Sequence, residues 1–220
     1  LIKAEESVQP KIWRLPIPVV YQDNYLAVIN KPVGPPVSGN RFRTVQNALP
    51  YNLVQGEEPD ALMAPLPVHR LDAVTGGLLI IAKNYSSRIK LGEMFENRQI
   101  EKRYLAVVEG KLEGSGLLNS QVEGKNAQTI FRSLNTVRID KRFYSLLELC
   151  PETGRKHQIR RHLSRLGFPI AGDSLYNAEN DYPVRKGLLL YATGLRFNHP
   201  ITNELLEINI HPPSKFDPFL

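Results

Sequence analysis

The chain has 220 residues, 42% of them apolar, and 28 basic against 22 acidic side chains leave a formal charge of +6. That describes a globular chain of one or two domains, long enough to bury a core without disulfides or a structural metal. One cysteine, Cys150, excludes an internal disulfide and a secreted disulfide scaffold, and fits a reducing, cytoplasmic setting; the longest purely apolar runs are about five residues, so neither a transmembrane helix nor a signal peptide is expected.

Residues 1–18 mix charges with Pro10, Pro16 and Pro18 and read as an extended connector, since proline removes donors and restricts its predecessor. The chain starts at Leu1 rather than methionine, so a segment upstream is expected. Two apolar stretches, 19–21 and 25–29, flank Gln22-Asp23-Asn24 as in a hairpin. Lys31-Pro32-Val33-Gly34-Pro35-Pro36 breaks regular structure, and Thr44 is placed to cap a short helix. Residues 55–67, with three prolines and three acids, read as a loop.

A glycine pair, Gly76-Gly77, then feeds the apolar strand 78–82, which puts Asp72 in or beside a loop leading into a buried strand. Ser86 or Ser87 caps a helix running to about Asn97. In the strand 102–108, Tyr104, Ala106 and Val108 share one face. Weak strands punctuated by Gly and Asn follow to about 135, then a clear strand over 142–149. Thr153 opens a basic helix with Ile159 and Leu163 on its apolar side, and Lys156, Arg160 and Arg161 free for solvent or a ligand; it stops near Gly167. Strands 188–197 and 205–211 close the chain around the turn 199–203. Strands outnumber helices in an irregular order, which indicates an α+β fold with a mixed sheet rather than a doubly wound one.

The charge is concentrated. Residues 132–165 hold nine basic side chains against three acidic ones, enough to account for the whole net charge. Such a segment is either a solvated basic face or a phosphate-binding surface. Arg70 and Asp72, two apart ahead of a turn, form either a local ion pair or a turn aspartate, or belong to a catalytic group. Thr153-Gly154-Arg155-Lys156-His157 at a helix start suits either a capped, solvated terminus or an anion site. The five histidines lack metal-ligand spacing: His157 and His162 are five apart, and His69, His199 and His211 are isolated. The Gly-rich phosphate loop and the Gly-x-Ser-x-Gly elbow are absent, leaving cofactor-free chemistry or plain binding.

Five segments in order carry a family resemblance: NKPVG (30–34), HRLDAVTGGLLIIAK (69–83), KRYLAVVEG (102–110), TGRKHQIRRHL (153–163) and GFPIAGDSLY (167–176). The chain resembles the RluA-type pseudouridine synthases from about Val19 to His211. The resemblance implies a bent, mostly antiparallel sheet with flanking helices. It also implies isomerisation of a uridine in ribosomal or transfer RNA, without cofactor or metal. Asp72 then corresponds to the nucleophilic aspartate, Arg155 to its cationic partner, Tyr104 to the active-site tyrosine, and Ile159 to an apolar wall against uracil. Arg70 matches the arginine that fills the gap left by a flipped base. His69 is grouped with the substrate contacts, and Lys156, Arg160, Arg161 and Arg103 would hold the RNA backbone.

Several positions depart from the family pattern: Gly76 stands where serine is usual, Tyr191 where histidine is frequent, and Phe168 and Asn177 replace the common His and Gly. Pro35-Pro36-Val37 is an unusual continuation of NKPVG. The resemblance divides the chain into residues 1–18, the tail or linker of an upstream RNA-binding domain, and 19–220, the catalytic domain. A monomer is expected. The competing reading is a non-catalytic RNA-binding or ribosome-associated protein that keeps the fold.

Overall fold

The computed structural model describes residues 12–177 and 187–220. In chain order its elements are β1 (Val19–Gln22), β2 (Leu26–Lys31), α1 (Val45–Asn52), β3 (Ala61–Pro67), β4 (Gly76–Asn84), α2 (Tyr85–Glu96), β5 (Glu101–Glu109), β6 (Ser115–Asn119), β7 (Gln128–Ile139), β8 (Arg142–Pro151), α3 (Gln158–Arg165), β9 (Leu190–Asn198), β10 (Leu205–Asn209) and a closing 3-10 helix, Ser214–Phe219. The ten strands make one sheet in the order β1-β2-β4-β9-β5-β8-β7-β6, with β3 beside β4 and β10 beside β9. The β4–β9 contact is parallel and the other described pairings are antiparallel.

The period-2 alternation of β2 and β4 feeds two cores, one on each face of the sheet. Ala27, Ile29, Leu79 and Ile81 point to the side covered by Val45, Ala48 and Leu49 of α1 and, further along, by Ile159 and Leu163 of α3. Leu26, Val28, Leu78, Ile80 and Ala82 point to the other side, against Leu91 of α2 and Phe197 of β9. The mixed sheet with few helices is the α+β architecture expected from the sequence.

Local boundaries differ in instructive ways. Thr44 caps α1 as expected, its hydroxyl accepting from the Asn47 amide at 3.2 Å. The cap of α2 is Asn84, not Ser86 or Ser87: its Oδ1 accepts from the Ser87 amide at 2.9 Å. The expected loop over 55–67 contains β3, a short strand beside β4 in which Pro65 and Pro67 are tolerated. Helix α3 starts at Gln158 rather than Thr153. The Thr153 hydroxyl accepts from the Gln128 amide and donates to Gln158 Oε1 at 2.7 Å, tying the approach to β7 instead of capping a helix. Of the expected connector, residues 1–11 lie outside the described residues; Trp13 and Ile17 are pinned by hydrogen bonds to Asn47 and Asn52 of α1.

Candidate active site

The loop between β3 and β4 places Asp72 and is held from below by a buried lysine. Lys31, fully buried at the end of β2, donates Nζ to the carbonyls of Pro32 (2.9 Å), Ala73 (3.3 Å) and Thr75 (2.9 Å). Burial pushes this ammonium down to about 8, opposed by the charge of Asp72. The Thr75 amide closes a turn on the Asp72 carbonyl at 3.0 Å, and Gly34 donates to the Ala73 carbonyl at 2.8 Å. At Gly77 (φ +114°) a Cβ would lie 2.2 Å from the Ala192 carbonyl, so only glycine lets β4 leave this loop and meet β9.

Asp72 lies in a narrow cleft of about 90 Å³ lined also by Tyr104 of β5, Ile159 of α3, Leu190 of β9, Thr75 and the 153–157 turn. Two hollows adjoin it and share Arg70. One, about 510 Å³, is lined by Phe95, Arg98, Lys102 and Arg155; the other, about 280 Å³, by Pro36, Val37, Ser38 and His157. The cleft therefore opens into a groove on either side of Arg70, whose exposed side chain has no partner among the described residues.

Of the sequence-derived candidates, Asp72, Tyr104, Arg155, Arg70, Lys156, Ile159 and Arg160 line this one cleft. Tyr104 is buried, and burial followed by the Asp72 charge raises its hydroxyl well above the usual tyrosine range, so it stays protonated. Ile159 is buried and apolar, as a wall against a base requires. Arg155 lines the cleft, but its Nε turns to the Asn126 carbonyl at 3.4 Å. Among the described residues, the basic side chains within 4.0 Å of Asp72 are His157, with Nε2 3.7 Å from Oδ1, and Arg160, with Nη1 3.7 Å from Oδ2.

Four of the candidates have partners within the chain. Arg160 is not free to hold an RNA backbone: it is buried, and its guanidinium grips Asp173 through two 2.8 Å bonds. Arg103 is not brought to the cleft, because strand alternation turns it away from Tyr104, and it pairs with Glu207 of β10 at 2.8 Å. Arg161 is already engaged by Glu123 (3.1 Å) and the Tyr176 hydroxyl (2.9 Å). His69 borders the larger hollow, but its Nε2 accepts from the Ile80 amide at 2.9 Å and its ring lies 4.7 Å from that of Phe95. Burial and the charge of Lys102 push its imidazole below the usual value, as a ring accepting from an amide requires.

Sequence reasoning assigned no site role to Lys31, Thr75, Asp173 or Tyr176, and named His157 only within the candidate anion-binding turn 153–157 and in the metal reading it set aside. All five stand inside the quoted segments, where the signal was a lysine before proline, a threonine before glycines, and a Gly-Asp step ahead of tyrosine. Thr75 carries a buried hydroxyl with no hydrogen-bond partner among the described residues, an arrangement that calls for a ligand or water. Burial pushes the Asp173 carboxyl up, but Arg160 and the Leu175 and Tyr176 amides outweigh it and hold it below the ordinary aspartate range.

The chain matches the family described as RNA pseudouridylate synthase over residues 25–165. It is 33% identical over 218 residues to Ribosomal large subunit pseudouridine synthase C of Rickettsia bellii, covering 90% of this chain and 69% of that protein. It is 32% identical over 247 residues to Ribosomal large subunit pseudouridine synthase D of Haemophilus influenzae (98% and 74%), and 31% identical over 218 residues to tRNA pseudouridine synthase C of Vibrio parahaemolyticus (86% and 87%). Among solved structures, Human RNA Pseudouridylate Synthase Domain Containing 4 has a TM-score of 0.72 at 26% identity, covering 91% of this chain and 90% of that one. With the match running from the start of β2 to the end of α3, and relatives covering most of both chains, this protein belongs to the RluA-type RNA pseudouridine synthases.

Proposed function

We propose that the chain isomerises uridines in ribosomal or transfer RNA, with Asp72 as nucleophile. The observation that supports this most is the convergence of Asp72, Tyr104 and Ile159, from three separate elements, on one cleft flanked by a cationic groove. In the reaction the bond from uracil nitrogen 1 to the sugar breaks, the base turns, and a carbon–carbon bond forms through carbon 5. Carbon 5 loses a proton and nitrogen 1 gains one, so atoms balance without a cofactor. The Arg160 guanidinium, with Nη1 3.7 Å from Oδ2, faces the Asp72 carboxylate and balances its charge. Attack at the anomeric carbon and addition to the uracil ring are both open to a carboxylate in this position.

Tyr104, which lines the cleft, supports the base through its ring, and its hydroxyl assists proton transfer at carbon 5. Thr75 offers its unpartnered hydroxyl to the uracil edge. A uridine in folded RNA reaches the cleft only by flipping, at a cost of a few kcal/mol, and Arg70 is the free planar cation to fill the space it leaves. Arg155 and Lys156, exposed at the mouth, take the flanking phosphates. The place of work is the cytoplasm, and the protein acts as a monomer.

Ribosomal and transfer RNA lacking pseudouridine, incubated separately with wild type and with Asp72→Ala, test this by nucleoside mass spectrometry. Wild type is expected to produce pseudouridine in at least one pool and Asp72→Ala in neither. Equal yields from the two proteins would overturn the assignment of Asp72. RNA binding by wild type without any product would leave a non-catalytic RNA-binding protein.

A further inference from the structure

A hydrogen-bonded chain that the reaction as described does not use stops 3.7 Å short of the Asp72 carboxylate. Arg161 Nε donates to the Tyr176 hydroxyl oxygen at 2.9 Å, and that hydroxyl lies 2.9 Å from His157 Nδ1. His157 Nε2 in turn stands 3.7 Å from Asp72 Oδ1. A guanidinium can only donate, so the phenol oxygen accepts from Arg161. Its own proton has no other acceptor among the described residues, which directs it to Nδ1. A neutral imidazole that accepts at Nδ1 carries its proton on Nε2, and that N–H faces Asp72.

The surroundings are built to hold this order. His157 sits in left-handed backbone (φ 55°), a conformation a non-glycine residue keeps only where its surroundings hold it. Tyr176 is fixed by its amide on Asp173, by Ser164 Oγ on its carbonyl at 2.8 Å, and by the Arg160 guanidinium 5.0 Å above its ring. Burial pushes the imidazole below its ordinary value; Asp72 opposes this, and Arg160, Lys156 and Arg161 add to it. The ring is thereby kept neutral.

We propose that His157 is a positioning residue for the nucleophile: Arg161 and Tyr176 lock it in the Nε2–H tautomer, and with Arg160 on the other oxygen it fixes the rotation of the Asp72 carboxylate. The 3.7 Å separations close to hydrogen-bond distance when a base fills the cleft, as catalytic contacts in unliganded sites commonly do. The proposal rests on the reading of Asp72 as the nucleophile.

Isotope-edited imidazole NMR of the full chain near neutral pH is expected to show His157 as the Nε2–H tautomer, and Tyr176→Phe to lose that preference. In the pseudouridine assay Tyr176→Phe should lower kcat about 10- to 100-fold, the scale of a misplaced reacting group, with KM for RNA within about twofold. His157→Gln, whose amide can still donate, should retain more activity than His157→Leu. An Nδ1–H or protonated His157 in wild type would overturn the proposal. So would full kcat in both Tyr176→Phe and His157→Leu while Asp72→Ala is inactive. Activity in Asp72→Ala would overturn the nucleophile reading as well. If Tyr176→Phe fails to fold, the tautomer of the wild-type ring decides.

Discussion

A Cβ added at Gly76 would stand 2.6 Å from the Tyr191 ring and 3.1 Å from the Lys31 carbonyl. These two positions, Gly76 and Tyr191, are both departures from the family pattern in sequence, and the structure shows that they are neighbours paired across the β4–β9 contact. The Tyr191 ring takes the room a serine would need, and its hydroxyl reaches Asn30 Oδ1 at 2.6 Å. Gly76→Ser should therefore destabilise the protein by about 1–3 kcal/mol, the usual penalty for overpacking, and Tyr191→His in the same chain should recover part of it. Urea unfolding of the single and double variants measures the coupling; additive effects would show that the two sites do not communicate. Other departures are also absorbed locally: the Phe168 ring packs over Gly110, and Asn177 donates to Glu109 at 2.7 Å.

Helix α3 shows how an element can be legible in outline and illegible in detail. Its apolar side, Ile159 and Leu163, follows from helical spacing, and both are buried. Its polar side misled, because a charged side chain reads as solvated unless its partner is known, and Asp173 lies 13 residues away across a turn. The same limit hid Lys31, whose three acceptors are backbone carbonyls that no sequence pattern reveals. The middle of the chain read as weak strands because β6 and β7 are half-exposed, and the long β7 is interrupted by a bulge near Asn135. The motif residues Asp72, Tyr104 and Ile159 were legible through resemblance, but no pattern told Arg155 from Arg160 as the carboxylate's neighbour.

The Arg160–Asp173 pair docks α3 beneath the cleft, and breaking it leaves a buried charge unpaired. Asp173→Ala should cost about 3–5 kcal/mol. The carboxyl is held below its unfolded value of about 3.9. Its contribution is therefore complete above that value and is lost as the pH falls through the folded one. Wild type and Asp173→Asn should differ most near neutral pH and converge in strong acid, as urea midpoints across the acid range would show. A constant difference at every pH would mean that the pair does not couple to protons.

Across the whole molecule, the +6 charge does not form a single footprint. Arg132 pairs with Glu148, Arg138 lies over Phe143, Arg160 grips Asp173, Arg161 meets Glu123, and Arg165 donates to the Gln121 carbonyl. The cations lining the cleft and its larger hollow without an acidic partner among the described residues are Arg70, Arg98, Lys102, Arg155 and Lys156. Removing Arg155 or Lys156 should weaken RNA binding and take about one unit off the slope of log affinity against log salt. Arg103→Ala, away from the cleft, should leave that slope unchanged. Filter binding across a salt series distinguishes these outcomes, and an unchanged slope for Arg155 and Lys156 would remove them from the RNA path.

The parallel contact between β4 and β9 consists of two residue pairs, Gly76 with Tyr191 and Gly77 with Ala192, more than a hundred positions apart in the chain. Strands β1 to β4 and strands β5 to β8 each pair among themselves within a local stretch. Among the described strands, only β9, which also supplies Leu190 to the cleft, joins the two halves. Loop closure over such a distance must be met before the contact rewards it. During synthesis the two half-sheets can therefore form while the ribosome is still translating, but the walls of the cleft meet only once residues near 190 have emerged. The cleft is complete only after β9 has been made, and a nascent chain carrying every motif from Asn30 to Tyr176 does not yet have it.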